Sequence, residues 1–492
     1  MPDTHTRVTL VVVLFTLTAG QGCSGAFTED GGAGARGQIG VPGSGGGSSA
    51  SATGTGGSGG SGGGAGGSGG ACPASARWVK RYGDSEDQVG ISVAADAAGD
   101  IVIAGVFAGT IDLGGGPLVA SSGRYSIYVA KLDASGNHRW SHAYAGGADY
   151  VFSGTLPFAT VAVSSAGDVF LGGEFSGTVD FGAGPVTAAS SVGDGFLVAL
   201  DPGGQPLWSV HYGDPPAGPG NPTPPSPQVI ESIALAPGGA VLALGYRASG
   251  FGGGMFLVKL DALGNLIWRK DVSSDGTMDA TVRADAAGNV LVAGLTYGPI
   301  DFGGGALQTS PAVGTFFRAK MTPGGAQLWS AGSLTEGFSL HAGNGAGVDP
   351  AGNLTIAGGG PDLNFDVGCG PFPFDWGAKV AQFDADTGAC SWIAGFGDSG
   401  LALAMSAVGT PSVFTDPGDE LVVYPDSGAG LPASACSQTF ALHGGADVLG
   451  AAADGQGGLL MTGGFSGTTD FSDDPGTTLQ SAGLRDVFVA RF

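Results

Sequence analysis

The sequence has 492 residues, 99 of them glycine, and a formal net charge of −24. This acidity excludes nucleic acid as a partner, because a protein that binds a polyanion needs a surface rich in lysine and arginine to displace counterions. It also argues against attachment to an anionic membrane by charge alone. The apolar fraction of 42% is ordinary for a globular protein, so a sizeable core can form.

The N-terminal segment predicts export. Arg7 precedes an apolar run from Val8 to Ala19, which is too short to span a bilayer but has the length of a signal-peptide core. The following Gly20-Gln21-Gly22-Cys23 resembles a bacterial lipobox, although glycine stands where leucine is usual. The resemblance implies that residues 1–22 are a signal peptide and that Cys23 carries a lipid anchor. We therefore expect the protein in the cell envelope, at the outer membrane or cell surface, with secretion after ordinary signal cleavage as the alternative.

Residues 23–71 are predicted to be a disordered stalk. From about Gly31 to Ala71 the chain is almost entirely glycine, serine, alanine and threonine, and such a segment cannot bury apolar surface. A flexible tether of this length has a typical end-to-end distance of about 35–40 Å. It would hold the following domain clear of a membrane surface.

From residue 72 to 492 the chain repeats itself. One signature is an apolar strand, a tight glycine turn and a strand that enters on tryptophan, as in LDASGNHRW from Leu132 to Trp140. Another is a strand, an Ala-Gly-Asp or Ala-Gly-Asn turn and a second strand, as in Ala94 to Phe107. The tryptophan recurs about sixty residues apart, at Trp78, Trp140, Trp208, Trp268, Trp329 and Trp392, and such a fixed period indicates a repeat architecture.

These repeats predict an all-β fold, a seven-bladed β-propeller. Four short strands per repeat with tight hairpins are typical of a propeller blade. The predicted blades are 84–144, 158–213, 229–272, 278–331, 342–397, 401–444 and 446–492. The last blade ends after its third strand, so strand 76–83 at the N-terminal end of the domain is expected to pair into it and close the ring. The blade at 401–444 is degenerate, because Gln438 stands where the tryptophan is expected.

Several stretches resemble the SBBP-type β-propeller repeats of bacterial cell-surface lipoproteins, especially those of myxobacteria. They are FAGTIDLGGG (107–116), IYVAKLD (127–133), FSGTVDFGAG (175–184), YGPIDFGGG (297–305), FSGTTDF (465–471) and DVFVARF (486–492). The resemblance implies a propeller displayed at the cell surface. It implies no catalytic motif and no cofactor.

Aspartates recur at fixed positions before glycine turns. Their spacing is that of an Asx-capped hairpin turn, in which the carboxylate accepts backbone N–H groups. Because these aspartates follow the repeat, whereas an active site would break it, turn capping is the favoured interpretation. A calcium site is the alternative for one set, Asp112, Asp180, Asp301, Asp366 and Asp470. Two further sets are Asp96, Asp285, Asp349 and Asp454, and Asp133, Asp201, Asp261 and Asp384.

The six recurring tryptophans are predicted to pack between blades. The stretch from Phe383 to Trp392 resembles the Asp-x-x-Thr-Gly-x-x-x-Trp repeat of quinoprotein dehydrogenases and of related non-enzymatic scaffolds, in which the tryptophan packs in this way. Against an enzyme of that class, the chain has no adjacent cysteine pair and has the threonine in one blade alone.

The cysteines predict two disulfides. With Cys23 assigned to lipid, Cys72, Cys369, Cys390 and Cys436 remain, an even number with three possible pairings. Cys369 and Cys390 bracket one strand of a blade, which can bring their Cα atoms within reach of a disulfide. Cys72 and Cys436 are then the remaining pair.

Together these features predict a non-catalytic binding or scaffold module for a protein or glycan partner at the cell surface. A secreted or periplasmic enzyme, quinoprotein-like or polysaccharide-active, is the alternative. An enzyme would need acids or metal ligands that depart from the repeat and converge at the axis of the ring, and the sequence alone singles out none.

Overall fold

In the computed structural model of the protein, the described chain begins at Ala76, just before the first strand. The residues described are 76–492 except for 122–124, 146–158, 190–192, 215–225, 248–253, 273–276, 311–313, 335–338, 341–344, 361–366, 371–376, 396–399, 406–408, 410, 416–419, 424–435, 440–445, 457 and 472–477. The predicted signal peptide, lipidation site Cys23, stalk and Cys72 lie outside them.

The described chain is all β, as predicted, with no α-helix and a single 3-10 turn at Pro237–Gly239. The strands are rich in valine, isoleucine, leucine and phenylalanine, and glycine or Asx turns connect most of them. None of the described residues forms a helix long and apolar enough to cross a membrane.

The first strand, β1 Trp78–Tyr82, belongs to the last blade, and blades A, B and C then follow in chain order. Blade A contains β2 Gln88–Ala95, β3 Ile101–Phe107, β6 Ser126–Leu132 and β7 His138–Tyr144, with a small hairpin of β4 Thr110–Asp112 and β5 Pro117–Val119. Blade B contains β8 Ala159–Val163, β9 Val169–Phe175, β12 Asp194–Leu200 and β13 Pro206–Tyr212, with a hairpin of β10 Thr178–Asp180 and β11 Pro185–Thr187. Blade C contains β14 Gln228–Ala236, β15 Ala240–Arg247, β16 Gly254–Leu260 and β17 Leu266–Val272.

Blades D, E and F repeat the same antiparallel plan. Blade D contains β18 Met278–Ala284, β19 Val290–Thr296, β20 Thr315–Met321 and β21 Gln327–Leu334. Blade E contains β22 Ser339–Leu340 and β23 Ala346–Val348, which together form its first strand, then β24 Leu354–Gly360, β25 Gly377–Phe383 and β26 Cys390–Gly395. Blade F contains β31 Ala446–Ala453, β32 Leu459–Phe465, β35 Asp486–Arg491 and β1, with a hairpin of β33 Thr468–Asp470 and β34 Thr478–Gln480.

The prediction of seven blades is wrong: the fold is a β-propeller of six regular blades, A to F. The stretch predicted as a further blade, 401–444, forms a smaller sheet of shorter strands between blades E and F. Its strands have only four to six residues each: β27 Gly400–Met405, β28 Pro411–Thr415, β29 Glu420–Val423 and β30 Cys436–Thr439. The stretch also contains no tryptophan, and Gln438 lies opposite Leu421. Short strands and a missing packing residue make this sheet a poor match to the repeat.

The predicted ring closure is confirmed. β1 pairs antiparallel with β35, with Trp78 opposite Arg491 and Tyr82 opposite Val487. Backbone pairing across some four hundred residues of sequence therefore supplies the fourth strand of blade F. Without it, β35 would present an unpaired sheet edge.

The hydrophobic core lies in layers between neighbouring blades. The middle strands of blades A and B, such as β3 and β9, are buried along their whole length, whereas outer strands such as β13 are half-buried or exposed. One apolar cluster joins blades A and B, another B and C, and a third C and D. The first strands β31, β2, β8, β14 and β18 contact one another in succession around the axis. A residue on one of these first strands that differs from its equivalents in the other blades therefore lies near the axis.

Candidate functional site

One set of loop aspartates was the alternative calcium site. In the structure these aspartates cap turns instead. Asp112 Oδ1 accepts hydrogen bonds from the backbone N–H groups of Gly114 and Gly116, at 2.8 and 3.1 Å. Asp180 and Asp301 make the same pair of bonds two and four residues ahead. Asp470 ends β33, and Asp366 lies outside the described residues. Turn capping is thus confirmed for three members of the set, and nowhere in the described chain do three His, Cys, Asp or Glu side chains come together as metal ligands.

A second set of turn aspartates also forms buried ion pairs. Asp96 caps its turn through the N–H groups of Ala98 and Asp100, both at 2.9 Å, and its other oxygen lies 2.9 Å from Lys131 Nζ. Burial opposes ionisation of Asp96, but the bonds from Lys131 and the turn outweigh it and lower the pKa of the carboxyl. Equivalent pairs join Asp285 to Lys320 and Asp454 to Arg491. These charges therefore hold the turn between the first and second strands of a blade to its third strand.

Five of the six tryptophans link neighbouring blades, as predicted. Each donates its Nε1–H to a carbonyl in the turn between the third and fourth strands of the next blade, at 3.0–3.2 Å. The pairs are Trp78 with Ala134, Trp140 with Pro202, Trp208 with Ala262, Trp268 with Pro323 and Trp329 with Ala385. Trp392 differs, because it donates to Gln382 of its own blade at 3.0 Å.

The Cys369–Cys390 disulfide is confirmed, with a Cα–Cα distance of 5.1 Å. It joins the loop after β24 to the first residue of β26. In blade A the same two positions hold Gly115 and His138, where a Cβ added to the glycine would meet the imidazole ring at 2.2 Å. At these two positions blade E therefore has a covalent bond, whereas blade A has a packing contact. Its predicted companion, Cys72 with Cys436, involves a residue outside the described chain.

The strongest departure from the repeat lies on the inner strands of blades C and D. Glu231 occupies the β-bulge of β14, between Ile230 and Ser232. The same bulge holds isoleucine in blade A and leucine in blade F, at Ile91 and Leu449. In blade D the register shifts between Met278 and Thr281, and Asp279 within this shift has a φ of 51°. Two acidic residues therefore lie on neighbouring inner strands, at positions where the other blades have apolar or small residues.

Tyr246 of β15 completes this group, which we name the C–D cluster: Glu231, Tyr246 and Asp279. The Tyr246 hydroxyl accepts the N–H of Ala280 at 2.7 Å and is hydrogen bonded to Glu231. Burial, and then the nearby charge of Asp279, raise the pKa of the Glu231 carboxyl well above its usual value. The pKa of Tyr246 is likewise raised, by burial and by the same two acids.

A carboxyl of raised pKa beside a second carboxyl has the composition of a general acid and base. Glu231, however, is only 3% exposed, so a polymeric substrate cannot reach its carboxyl without separating two blades. The C–D cluster is therefore better suited to hold a small ligand or a proton than to process a polysaccharide.

Arg283 is a second departure close to the cluster. At its register the other regular blades have only small residues: Ala94, Ala162, Ala234, Gly347 and Ala452. Its Nε donates to the carbonyl of Ala346 in blade E at 2.8 Å, and Nη1 contacts Thr281 Oγ1 and, in blade C, Ser232 Oγ. Burial lowers the pKa of the guanidinium to about 10. Arg283 thus braces three consecutive blades at their inner strands.

Glu174 is a buried acid of blade B. It is fully buried on β9, where the same register holds Val106 in blade A and Tyr246 in blade C. Neither carboxylate oxygen has a hydrogen-bond partner among the described residues. Burial raises the pKa of Glu174 to about 8. At neutral pH this side chain is therefore largely protonated.

A surface cleft of about 540 Å³ lies where blade B meets blade C, lined by Thr187, Ala188, Ala189, Asp194, His211, Gly213 and Asp214. Its acids are occupied by structural bonds. Asp214 accepts the Ser226 N–H and the Gln228 amide at 3.0 Å and pairs with Arg247. Asp194 accepts the Ala189 N–H at 2.7 Å. The proline-rich insert that adjoins the cleft lies almost entirely outside the described residues.

The outer strands of blades B, C and D carry an exposed apolar feature, which we name the outer arc: Leu207, Ile267 and Leu328. Each precedes the blade tryptophan at a register shift of the fourth strand, and each is 53% exposed. The equivalent residues elsewhere are polar: Arg77 in blade F, Arg139 in blade A and Ser391 in blade E. Leu263 and Leu266 of blade C, also exposed, extend the arc.

The chain matches no protein-family model and no curated protein. Among solved structures, a streptogramin B lyase aligns over 84% of this chain and 98% of its own length, with 11% identity and a TM-score of 0.41. BamB from Moraxella catarrhalis aligns over 84% and 96%, with 12% identity and a TM-score of 0.34. A catalytically inactive virginiamycin B lyase from Staphylococcus aureus with quinupristin aligns over 84% and 99%, with 9% identity and a TM-score of 0.39. Similarities at this level carry no argument about activity or partners.

Sequence reasoning missed the acids and the arginine of the inner strands. The signal was present, because aligning the repeats places Glu231 against isoleucine and leucine, and Arg283 against alanine and glycine. The sequence could not predict that Glu231 and Asp279 lie close together, because their positions depend on register shifts in two different blades.

Proposed function

We propose that this protein is an exported, lipid-anchored propeller of the SBBP type that acts at the cell surface as a non-catalytic binding module for a protein partner. The observation that carries the proposal is the outer arc. Three consecutive blades present a half-exposed aliphatic residue at one register, where the other regular blades present arginine or serine.

The position of these residues suits a contact surface. Each lies at a β-bulge of an outer strand, and bulges re-aim a side chain away from the regular sheet. Single exposed aliphatic residues are ordinary on protein surfaces, but residues repeated in register on neighbouring blades need a reason. Burial against an apolar patch of a partner would supply that reason, because removing apolar surface from water is favourable.

The use of the repeated polar residues supports binding over catalysis. The recurrent aspartates cap turns and form ion pairs, and five tryptophans link blades. These groups are engaged in holding the propeller together. A rigid head of this kind, on a tether that reaches beyond the membrane, favours contact with a partner fixed in the envelope or outside it.

The anchor is tested by cell fractionation. Wild-type protein is expected in the membrane fraction, and protease treatment is expected to cut within Gly31–Ala71 and to release a folded head. Cys23→Ser is expected to convert the protein into a soluble secreted or periplasmic species. A Cys23→Ser protein that stayed membrane-bound after a salt wash would place the anchor elsewhere.

The binding surface is tested by crosslinking on intact cells followed by mass spectrometry. The triple variant Leu207→Lys, Ile267→Lys, Leu328→Lys is expected to lose a partner adduct at least about tenfold, because each charge would have to be desolvated in the contact. The matched control is Val119→Lys with Leu484→Lys, two substitutions at exposed aliphatic residues outside the arc. Equal adduct yields from the two variants would exclude the outer arc as the contact.

A further inference from the structure

Arg318 on β20 of blade D is a buried arginine that departs from the repeat. It lies opposite Ala293, a register at which the third strands of the other regular blades carry an aliphatic residue: Val129, Leu197, Leu257, Val380 and Val489. Arg318 is 4% exposed. A charge taken out of water to this extent is costly unless its neighbours satisfy it, so the groups that accept its N–H bonds matter for stability.

These acceptors lie in two separate segments of blade E. Nε of Arg318 donates to the carbonyl of Gly388 at 2.8 Å, in the turn before β26, and Nη1 donates to the carbonyl of Val367 at 3.0 Å, in the loop after β24. The guanidinium carbon lies 4.3 Å from the centre of the Phe383 ring, a cation–π contact. A Cβ added at Gly368 would lie 2.8 Å from Nη2, so the loop packs closely against the guanidinium. Arg318 therefore binds blade D to both segments of blade E.

The Cys369–Cys390 disulfide joins the same two segments. Val367 and Gly388 each stand two residues before one of the bonded cysteines. The two carbonyls that accept from Arg318 are thus connected to each other through a short covalent path. The disulfide therefore restrains the positions of both acceptors relative to each other.

We propose that the Cys369–Cys390 disulfide is a redox-sensitive lock on the contact between blades D and E, and that it acts through Arg318. A dithiol that reduces the bond passes two electrons and two protons to the sulfurs. The S–S bond breaks, two thiols form and the dithiol closes to a cyclic disulfide. The loop and the turn are then no longer joined, and movement of either leaves a buried guanidinium short of an acceptor. Blade E therefore separates from blade D more readily in the reduced protein.

The lock responds to the redox state of the compartment. Disulfides persist in oxidising environments and are rare in the cytoplasm. A chain exported as proposed above would therefore complete the contact between blades D and E only after export. This consequence rests on the proposed export, whereas the lock itself is tested on purified protein and does not depend on it.

The test is hydrogen exchange, measured by mass spectrometry on the full chain, oxidised or reduced with dithiothreitol. In wild type, reduction is expected to speed exchange in the turn 384–390 at least about tenfold. Arg318→Leu carries leucine, as blades B and C do at this register, and is expected to respond no more than about threefold. The matched control, Lys259→Met, removes a cation that donates to the Pro323 carbonyl between blades C and D at 3.0 Å, and should respond as wild type does.

Two cysteine variants assign the effect to this disulfide. Cys369→Ser with Cys390→Ser is expected to exchange like reduced wild type and to ignore the reductant. Cys72→Ser with Cys436→Ser should keep the wild-type response. A response that disappeared only with the second pair would place the lock elsewhere and overturn the proposal.

The comparison of wild type with Arg318→Leu decides whether the arginine transmits the effect. Equal responses would show that the disulfide acts on blade E alone and would overturn the proposal, as would no response in wild type. If Arg318→Leu does not fold, the extent of the wild-type response decides. Acceleration that reaches β21 of blade D, whose Trp329 donates to Ala385 in the same turn, supports the lock. Acceleration within blade E alone, or uniform over the head, overturns it.

Discussion

Single residues at repeated positions decide how each blade is held together, and the exceptions are informative. Asp96 and Asp285 pair with Lys131 and Lys320, and blade B lacks both partners, with Ser164 and Ala199 at these registers. Blade B has therefore lost both charges of the pair, and an unpaired buried charge would be costly. Glu174 of the same blade is nevertheless buried without a hydrogen-bond partner in the described chain. It should therefore make stability depend on pH.

Glu174→Gln is expected to stabilise the protein increasingly as pH rises above about 4.5. The folded-state pKa is raised from 4.5 to about 8, so the folded protein binds the proton more tightly than the unfolded chain. Wild type therefore loses stability as pH rises from about 4.5 to 8 and then levels off. Urea unfolding should show the variant close to wild type at pH 4.5, and more stable by on the order of 5 kcal/mol at pH 8.5. Parallel pH profiles for the two proteins would show that Glu174 is not buried as described.

At the scale of elements, the turn between the third and fourth strands is a contact that recurs between neighbouring blades. Gly264 has a φ of +81°, and a Cβ added there would lie 2.6 Å from the Trp208 ring. Gly136, Gly204 and Gly388 meet the tryptophan of the preceding blade in the same way. The tryptophan and the glycine of the next repeat are therefore one packing unit, in which the glycine leaves room for the indole.

Gly264→Ala is expected to cost clearly more stability than Gly177→Ala. Both glycines have positive φ, at +81° and +70°, so both substitutions pay a backbone penalty of about 1 kcal/mol. Gly177 faces open space, whereas Gly264 faces the indole, and overpacking adds about 1–3 kcal/mol. Chemical unfolding of both variants measures the difference. Equal losses would mean that the indole moves aside freely and that the contact contributes little.

For the whole molecule, the pairing of β1 with β35 closes the ring. It joins the two ends of the propeller through five residue pairs, Trp78–Arg491 to Tyr82–Val487. Trp78 also donates to Ala134 of blade A, so the same strand links blades F and A. The closure strand therefore contributes both sheet pairing and contact between blades.

Removal of residues 76–83 is expected to destabilise the head and expose an edge strand. β35 would lose its partner, and an unpaired edge promotes association with other chains. We expect a lower Tm and concentration-dependent oligomers in size-exclusion chromatography. The control is deletion of residues 31–71, which leaves β1 in place and should leave the Tm of the head unchanged. A monomeric variant with unchanged Tm would mean that the ring is held without this strand.

The sequence alone was sufficient for the strands, the aspartate turns, the five linking tryptophans, the ring closure and the Cys369–Cys390 pair. These features are local or repeat with a fixed spacing, so each copy supports the prediction of the others. The number of regular blades was decided by the tertiary structure, because whether short strands such as β29 and β30 form a full blade depends on packing against their neighbours. The meeting of Glu231 with Asp279 was decided there as well. Bulges in two blades move these side chains out of the regular alternation of a strand. The spacing of residues along the chain therefore does not predict their positions.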